Sequence, residues 1–396
     1  MDKKNVRRSV SLPNQSQIAR YSNNPQLGPR LLFFTGGSAL NPLCRTLVDY
    51  THNSIHLITP FDSGGSSAAL RHAFSMPAVG DFRSRLLALS DNRVDGSDAL
   101  RAVFRHRLPK SGDAAMLRIE LDTLTAGTHP LTAALNREDR TQVCRRLQAI
   151  LTHLPVRFDL CGASIGNLIM TGIYLDENRQ LGSAIDITSQ LLHSLGTVKP
   201  IVDDNLHLAA RLTNGETVVG QHRLTGKEHP PIAAPVFELH LSACDTHFTP
   251  LKTALPDSNR QLIRQADLIC YPPGSFYSSV VANLLPEGVA SAIADNPCRK
   301  VFIPNLGNDP ECIGMSTDDL VQRLLDHLHD DVCNDNADRF INTLLLDSRN
   351  GHYPTLPDPA VLQEMSIELV DTTLVSAASQ PYYDARLLTE ALLSLS

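Results

Sequence analysis

Short apolar runs and longer segments with apolar residues at helical spacing alternate along most of the chain. The runs that have the length and composition of strands buried on both faces are 31–34, 55–58, 267–271 and 300–304. The segments whose apolar residues recur three or four positions apart, which predicts helices, include 81–91, 131–152 and 317–329. Strands that alternate with helices predict an α/β fold with a mostly parallel sheet that is covered on both faces.

The pattern changes between 197 and 242, where strand-like segments follow one another without helices. The segments 206–213 and 216–220 flank the dipeptide Asn214-Gly215. This dipeptide is a strong hairpin signal, and in the two-residue turn that it favours both residues have positive φ. We therefore expect this region to form an antiparallel β extension of the main fold.

The two ends of the chain differ from the rest in composition. Residues 1–28 are rich in Ser, Asn, Gln and charge and have few large apolar side chains. Such a segment buries too little surface to offset the entropy of ordering it, so we expect a disordered N-terminal tail. The α/β domain is expected over 29–346, and 347–396 as a C-terminal extension packed on it.

Charge and hydropathy exclude several classes of partner. The 396 residues include 35 Lys and Arg against 42 Asp and Glu, which gives a net charge of −7 and disfavours a generic nucleic-acid surface. No apolar run reaches the roughly 18 residues of a membrane helix, and no signal-peptide core is present near the start. We expect a cytoplasmic protein with a small-molecule ligand, without a nucleic-acid or membrane partner, and we leave a homodimer open.

Cysteine and histidine residues give little sign of a metal site. The eight cysteines form no C-x-x-C pair, so a disulfide framework or zinc knuckle is disfavoured and buried free thiols are expected. Two loose groups of His, Cys and Asp at 240–247 and 327–331 lack the spacing of a zinc site. Polar surface is the preferred interpretation of both groups.

Three turns rich in Gly and Ser follow predicted strands, at 35–38, 62–67 and 272–275. In a parallel sheet such turns lie beyond the carboxyl ends of the strands, where helix N-termini present N–H groups to an anion. Any one of them is explained equally well by tight turning, but three together indicate a phosphate-bearing ligand. The candidate phosphate-binding residues are Gly36, Gly37, Ser38, Ser63, Gly64, Gly65, Ser66, Ser67, Pro273, Gly274 and Ser275.

Asp62 opens the second of these turns. A carboxylate beside an anion-binding loop is suited to hold Mg²⁺ against phosphate oxygens or to orient a reacting hydroxyl. We therefore take Asp62 as the candidate catalytic residue and Mg²⁺ ligand. The alternative is that Asp62 only caps the helix that follows.

A competing motif lies at 162–166, where Gly-Ala-Ser-Ile-Gly fits the nucleophile elbow of serine hydrolases. It follows the strand-like segment 156–160, and Ser164 would be the nucleophile. An Asp partner at 203 or 204 and a His partner at 222, 229, 240 or 247 would complete the expected chain order. The simpler interpretation is that Ser164 begins a helix as a hydrogen-bond acceptor.

Six blocks occur in the order seen in the 2-phospho-L-lactate transferase (CofD-like) family, and the chain resembles that family over about 31–346. The blocks are TGGSAL at 35–40, FDSGGSSAALR at 61–71, PAVGDFRSRLLALSD at 77–91, GASIGNLI at 162–169, LHLAARLTNGETVVG at 206–220 and ADLICYPPGSFYSSVVANLL at 266–285. The resemblance implies a Rossmann-like three-layer α/β/α sandwich, in agreement with the pattern. It also adds Asn167 of the fourth block to the phosphate-binding residues.

Two functions are implied by this resemblance. One branch transfers a phospholactyl or phosphoenolpyruvyl group from a guanosine diphosphate-linked donor to a hydroxyl of a deazaflavin, with Mg²⁺. The other, the gluconeogenesis-factor (YvcK-like) branch, binds a nucleotide sugar as a regulator. The chain has Ser63 where the regulatory branch has a second acid, which weakens the expectation of Mg²⁺. Transfer chemistry is our first expectation and non-catalytic regulation the alternative.

Overall fold

The computed structural model describes residues 12–226, 229–329 and 337–396. In these ranges the strands are β1 (Leu31–Thr35), β2 (Ile55–Ile58), β3 (Thr197–Pro200), β4 (His207–Leu212), β5 (Thr217–Val219), β6 (Val236–Ser242), β7 (Leu268–Tyr271), β8 (Arg299–Phe302), β9 (Thr343–Leu346) and β10 (Glu368–Asp371). The α-helices there are α1 (Gln15–Asn23), α2 (Asn41–Leu47), α3 (Gly65–Phe74), α4 (Gly80–Leu89), α5 (Ser97–Arg105), α6 (Ala114–Thr125), α7 (Pro130–Ala133), α8 (Arg137–His153), α9 (Ile165–Asp176), α10 (Leu181–Leu191), α11 (Gln221–Leu224), α12 (Asp257–Gln265), α13 (Val289–Asp295), α14 (Thr317–His329), α15 (Pro359–Glu364) and α16 (Ala385–Leu395).

Strand β1 lies near the middle of the main sheet, which has the order β10-β9-β8-β7-β1-β2-β3. Every neighbouring pair in this sheet is parallel. Phe33, for example, is paired with His56 of β2 on one side and with Cys270 of β7 on the other. The predicted parallel sheet is confirmed. Its strand order reverses direction at β1, which is where ligands bind in open α/β sheets.

Side chains of the central strand alternate between two hydrophobic cores, one on each face of the sheet. Leu31 and Phe33 point into a core built with α2, α4, α5, α6, α8, α9, α10 and α16. Leu32 and Phe34 point into a second core built with α12, α13, α14 and the smaller sheet. Because both faces of this strand pack against a hydrophobic core, all of its side chains from 31 to 34 are apolar, which explains the continuous apolar run in the sequence. The three-layer Rossmann-like sandwich is confirmed.

The predicted antiparallel region is also confirmed, with two differences in detail. Strands β4, β5 and β6 form a three-stranded sheet of order β5-β4-β6, but β3 belongs to the main sheet. In the β4–β5 turn, only Gly215 has positive φ, at 87°. The amide of Gly215 donates to the carbonyl of Leu212 at 2.9 Å, so a wider turn with one left-handed glycine replaces the two-residue turn.

Both chain ends depart from expectation. The predicted disordered tail is wrong for 12–28, because α1 is ordered there and buries Ile18 and Tyr21. Just before α1, the amide of Asn14 donates to Ser394 Oγ of α16 at 2.8 Å. The segment around α1 therefore packs against α16, which is far from it in sequence. Residues 1–11 lie outside the described residues.

The C-terminal segment contributes to the sheet itself. Strand β10 pairs in parallel with β9, although we expected 347–396 only to pack on a domain that ended at 346. Helix α16 then packs against α2. The boundary at 346 therefore divides a single sheet.

The cysteines in the described ranges are free, as expected, but few of them are buried. Only Cys44 and Cys270 are fully buried there, whereas Cys161 is exposed and the others are intermediate. Cys333 lies outside the described residues. None of the helices in the described ranges combines the length and apolarity that crossing a membrane requires.

Candidate functional site

A cleft of about 780 Å³ opens at the carboxyl ends of β1, β2 and β7. It is lined by the loops that follow these three strands, by the start of α4 and α9, and by α11. Of the residues singled out in the sequence, those that line it are Gly36, Gly37, Ser38, Asp62, Gly64, Gly65, Ser66, Ser67, Asn167, Pro273, Gly274 and Ser275. The structure therefore brings together almost the entire predicted site, at the position that the strand order favours.

The loop after β1 is held from behind by a buried arginine. Arg85 of α4 is fully buried and donates hydrogen bonds to the carbonyl oxygens of Gly36 and Gly37 at 3.3 and 3.2 Å. In a planar trans peptide the N–H points opposite to the C=O, so the amides of Gly37 and Ser38 point away from Arg85 toward the cleft. A side chain at 36 is excluded, because its Cβ would lie 2.6 Å from Ser279 Oγ.

The loop after β2 has the same construction. Arg71 of α3 donates to the carbonyl oxygens of Phe61 and Asp62 at 3.1 and 2.9 Å. Burial lowers the pKa of Arg71 to about 10, so the guanidinium keeps its charge at neutral pH. Gly65 begins α3 with a φ of +51°, a conformation that favours glycine. Two adjacent loops that border one cleft are thus held by arginine side chains that bind their carbonyl oxygens.

Asp62 lies in the second loop, partly exposed to the cleft. Its Oδ1 accepts a hydrogen bond from the amide of Gly64 at 3.1 Å, which forms a turn ahead of α3. Gly64 is the N-cap of α3, and this helix begins without a side-chain cap, so the capping alternative is not supported. Asp81 in the first turn of α4 also lines the cleft, and a Cβ added to Gly37 would lie 3.9 Å from its Oδ1. The cleft therefore contains two carboxylates. Oxygen donors of this kind are the ligands that Mg²⁺ takes, so the residues fit the ion that the resemblance implies.

Ser63 is the exception among the predicted residues. Its side chain does not line the cleft but contacts His222, with 2.6 Å between Ser63 Oγ and His222 Nδ1. Ser63 Oγ also accepts a hydrogen bond from the amide of His222 at 3.1 Å. His222 does line the cleft. The side chain of Ser63 therefore fixes α11 against the second loop and does not line the cleft.

Asn167 connects the cleft to two arginines that the sequence interpretation missed. Its Oδ1 accepts from Arg83 Nε at 2.7 Å, and its Nδ2 donates to Ser66 Oγ at 3.0 Å. Arg107 donates to the same Ser66 Oγ at 3.2 Å. Burial, and after it the charge of Arg107, lowers the pKa of the Arg83 guanidinium to about 10. The lining of the cleft thus contains two neighbouring cations beside the carboxylates of Asp62 and Asp81.

The sequence contains a motif that includes Asp81 and Arg83, but none that includes Arg107. Asp81 and Arg83 lie in the block at 77–91 that carried the resemblance, so its polar residues were open to inspection. Arg107 lies in an extended segment after α5 that has no motif. The isolated pairing of Arg107 with Ser164, together with its hydrogen bond to the carbonyl oxygen of Gly162, places it beside the start of α9.

The third loop was expected to present free amides, but the amide of Gly274 donates to Asn305 Oδ1 at 2.7 Å, and the amides that follow the loop are also bonded. The amide of Phe276 donates to Asp309 Oδ2 at 2.9 Å, and the amides of Tyr277 and Ser278 donate to Glu311 Oε2 at 2.9 and 2.8 Å. Carboxylates of the protein itself therefore occupy these N–H groups. Burial, and after it the charge of Asp309, raises the pKa of Glu311 to about 7. The third loop shapes one wall of the cleft, and those three amides serve the protein interior.

The serine hydrolase alternative is not supported by the geometry. Segment 156–160 is not a strand, and Ser164 Oγ accepts from the amide of Asn167 at 3.3 Å as the N-cap of α9, the simpler of the two expectations. The candidate histidines make other contacts. His222 bonds Ser63, His229 packs on His222, His240 bonds Glu238, and His247 contacts Cys244.

The two loose groups of His, Cys and Asp do not line the cleft in the described residues. In the part of the chain that the structure describes, neither supplies three metal-ligand atoms close together. Residues 330 and 331 of the second group lie outside the described residues. A different group, which contains His106, Glu120 and His129, does meet this geometric condition, and no sequence motif pointed to it.

Comparisons with known proteins show the family of this chain. The family model described as 2-phospho-L-lactate transferase CofD matches residues 31–375. The chain is similar to the gluconeogenesis factor of Halalkalibacterium halodurans, with 27% identity over 75% of this chain and 73% of the relative. It is also similar to the gluconeogenesis factor of Bacillus subtilis, with 26% identity over 81% and 80%.

A solved structure has the same fold. The crystal structure of a UPF0052 family protein from Bacillus halodurans superposes with a TM-score of 0.68 and covers 92% of this chain and 99% of its own, at 23% identity. The matched family range reaches 375 and so includes β10, in agreement with the strand order of the sheet.

Proposed function

Because this chain belongs to the CofD family of 2-phospho-L-lactate transferases, we propose that its cleft binds the diphosphate of a nucleoside diphosphate-linked small molecule. The observation that carries the proposal is the convergence of two arginine-backed loops with Arg83 and Arg107 at one end of the sheet. Backbone amides and guanidinium groups are the donors that proteins use for phosphate oxygens.

The charge and size of the cleft favour this class of ligand. Arg83 and Arg107 line it, while the buried Arg71 and Arg85 lie directly behind its loops. A volume of about 780 Å³ is within the range of small-molecule sites and accommodates a nucleotide with an attached group. Asp62 and Asp81 line the same cleft, so the guanidinium groups favour phosphate oxygens and the carboxylates favour a cation bound with them.

The two carboxylates suggest a divalent cation in addition. Asp62 and Asp81 would hold Mg²⁺, which when bound supplies positive charge to the phosphate oxygens. Asp81 offsets the loss of the second acid at position 63, because it reaches the same cleft from α4. The proposal therefore includes Mg²⁺ as a cofactor.

Group transfer is the chemistry we propose for this site. A hydroxyl oxygen of an acceptor attacks the distal phosphorus of the diphosphate, and the bond from that phosphorus to the bridging oxygen breaks. The nucleoside monophosphate leaves with the bridging oxygen, and Asp62 accepts the hydroxyl proton. Arg83, Arg107 and the loop amides stabilise the charge that develops on the phosphate oxygens. This assigns Asp62 the catalytic role.

A second candidate function is regulation through the same cleft without turnover. The names of the relatives from Halalkalibacterium halodurans and Bacillus subtilis, gluconeogenesis factor, favour it. Both candidates require the diphosphate site, and they differ only in whether a product is released.

The binding proposal is tested by thermal unfolding with GDP, UDP and their phosphoester or sugar conjugates, each with and without Mg²⁺. A ligand that binds only the folded state at 100 times its Kd adds about 2.7 kcal/mol of stability. We expect at least one nucleoside diphosphate to raise the Tm, and more strongly with Mg²⁺. If none does so at millimolar concentration, the proposed ligand class is wrong.

Transfer is tested by incubating the protein with phospholactyl or phosphoenolpyruvyl guanosine diphosphate, Mg²⁺ and a deazaflavin. Release of GMP in proportion to the acceptor supports the transferase. Tight binding without GMP supports the regulator. The matched control is Ser164→Ala, which removes the N-cap hydrogen bond to the amide of Asn167 but no side chain that lines the cleft, and it should retain most of the activity of the native protein.

A further inference from the structure

A second polar site lies outside the cleft, where three helical elements meet. His106 follows the last turn of α5, Glu120 lies within α6, and His129 caps α7. One ligand atom from each of the three lies within 4.8 Å of the other two. The separation between His106 Nε2 and Glu120 Oε1 is 2.8 Å, and the two imidazole rings are 5.7 Å apart.

We propose that His106, Glu120 and His129 form a binding site for Zn²⁺. Two imidazoles and one carboxylate are a ligand set that Zn²⁺ takes, with a water in the fourth position. Mg²⁺ has little affinity for such a set because it prefers oxygen ligands. This proposal is independent of the function proposed for the cleft.

The backbone around the three residues is well fixed. The amides of Thr128 and His129 both donate to the carbonyl oxygen of Thr123 at 3.1 Å, and the amide of His106 donates to Ala102 at 3.0 Å. His106 and Glu120 are each about one quarter exposed, with side-chain exposures of 26%. The ligands are therefore close together before the ion arrives and still accessible to it.

Metal binding replaces contacts that the apo site makes. His129 Nδ1 accepts from the amide of Leu131 at 3.2 Å, and a neutral imidazole that coordinates through Nε2 carries its proton on Nδ1, so this cap is lost. Ligands of one tetrahedral Zn²⁺ lie roughly 3.4 Å apart. The widest separation in the site therefore has to close by about 1.4 Å at most, which rotation of a side chain can supply.

The site and the cleft are contacted by adjacent residues of the chain, His106 and Arg107. His106 is extended, with φ −62° and ψ 140°, so its side chain and that of Arg107 point to opposite sides. Arg107 faces Ser66 in the cleft, while His106 faces Glu120. Zn²⁺ would bind on the face away from the nucleotide site.

Isothermal titration of the full chain with Zn²⁺ alone tests the proposal, with Mg²⁺ as the comparison ion. We expect one Zn²⁺ per chain and no binding of Mg²⁺ in the absence of nucleotide. His106→Asn, Glu120→Gln and His129→Asn should each weaken Zn²⁺ binding at least tenfold. Asn at 129 keeps a good N-cap and Gln at 120 keeps the side-chain shape, so folding is expected to be preserved and is checked by circular dichroism.

Two control variants address other histidine and cysteine sites. His153→Asn removes an exposed imidazole that bonds Ala149 in its own helix, and Cys244→Ser removes the thiol that contacts His247 at 3.1 Å. Both should bind Zn²⁺ within twofold of the native protein. The absence of stoichiometric Zn²⁺ binding overturns the proposal. So does binding that survives all three ligand variants, or a thiolate-to-metal charge-transfer band when Co²⁺ replaces Zn²⁺.

Discussion

The loops after β1 and β2 differ from the loop after β7, although all three have the same Gly and Ser signature. In the first two, Arg85 and Arg71 bind backbone carbonyl oxygens and turn the amides outward. In the third, Asn305 accepts from the amide of Gly274, and Asp309 and Glu311 accept from the amides that directly follow the loop. A buried cation behind a loop leaves N–H groups for a ligand, whereas a buried anion uses them.

The loops differ in which group of the peptide, the N–H donor or the C=O acceptor, forms a hydrogen bond with a side chain of the protein interior. Each peptide has one donor and one acceptor, and buried groups of both kinds need partners. The charge of the side chain behind a loop therefore decides which of the two remains available to the cleft.

Among the substitutions that test the difference between the loops, Arg85→Met is expected to have the largest effect on stability and on nucleotide binding. It leaves the carbonyl oxygens of Gly36 and Gly37 without their partner, at about 1–3 kcal/mol each. We expect the free energy of unfolding in urea to fall by about 3 kcal/mol, and nucleotide binding to be lost as the first loop relaxes. The control is Arg118→Met, an exposed residue that pairs with Asp122 on α6. Equal stability of Arg85→Met and native protein would contradict the role of Arg85.

Glu311→Gln tests whether the carboxyl group behind the third loop makes the stability of the protein depend on pH. The folded-state pKa of Glu311 is raised from 4.5 to about 7, so the native protein loses stability as pH rises through this window. The loss is at most about 3 kcal/mol. We expect Glu311→Gln to remove this pH dependence, as measured by urea unfolding between pH 4.5 and 8.

The same variant also tests whether the amides that follow the third loop contribute to nucleotide binding. Because the amides of Tyr277 and Ser278 serve the interior, Glu311→Gln should bind nucleotide as tightly as the native protein. A large change in affinity would mean that the third loop contributes these amides to the ligand.

Arg107→Gln removes one of the two cations that face the ligand. A charged hydrogen bond contributes about 1.5–3 kcal/mol, so we expect the nucleotide Kd to rise at least tenfold. Stability should change by less than about 0.5 kcal/mol, because Arg107 is exposed. Binding is measured by calorimetry, with Arg118→Gln as the matched control. An unchanged Kd would exclude Arg107 from the phosphate site.

Asp62→Asn separates the metal role of this residue from its structural one. Asn caps turns about as well as Asp, so unfolding free energy should change by less than about 1 kcal/mol. We expect nucleotide affinity with Mg²⁺ to fall about tenfold, while affinity without Mg²⁺ holds or improves as repulsion is relieved. Affinity unchanged or tighter in both conditions, with normal turnover, would leave Asp62 with a structural role alone.

Local pattern alone predicted much of the fold. Helix α14 matches the predicted span of 317–329, and the predicted helix at 131–152 is found as α7 and α8, divided where Asn136 caps the second. These features depend on residues near each other in sequence. By contrast, the helix at 15–23 was missed because its apolar residues are few and its partner α16 is the last helix of the chain.

The sequence by itself determined the alternation of strands and helices over much of the chain, the Gly and Ser turns at strand ends, and the acid at the start of the second turn, because each is a local property of the chain. The tertiary structure decided which turns present amides, since Arg85, Arg71 and Glu311 act on loops at a distance along the chain. It also brought Arg107 to Ser66 and withdrew Ser63 toward His222. Side-chain partners across a sheet edge follow from packing, and spacing in the sequence does not encode them.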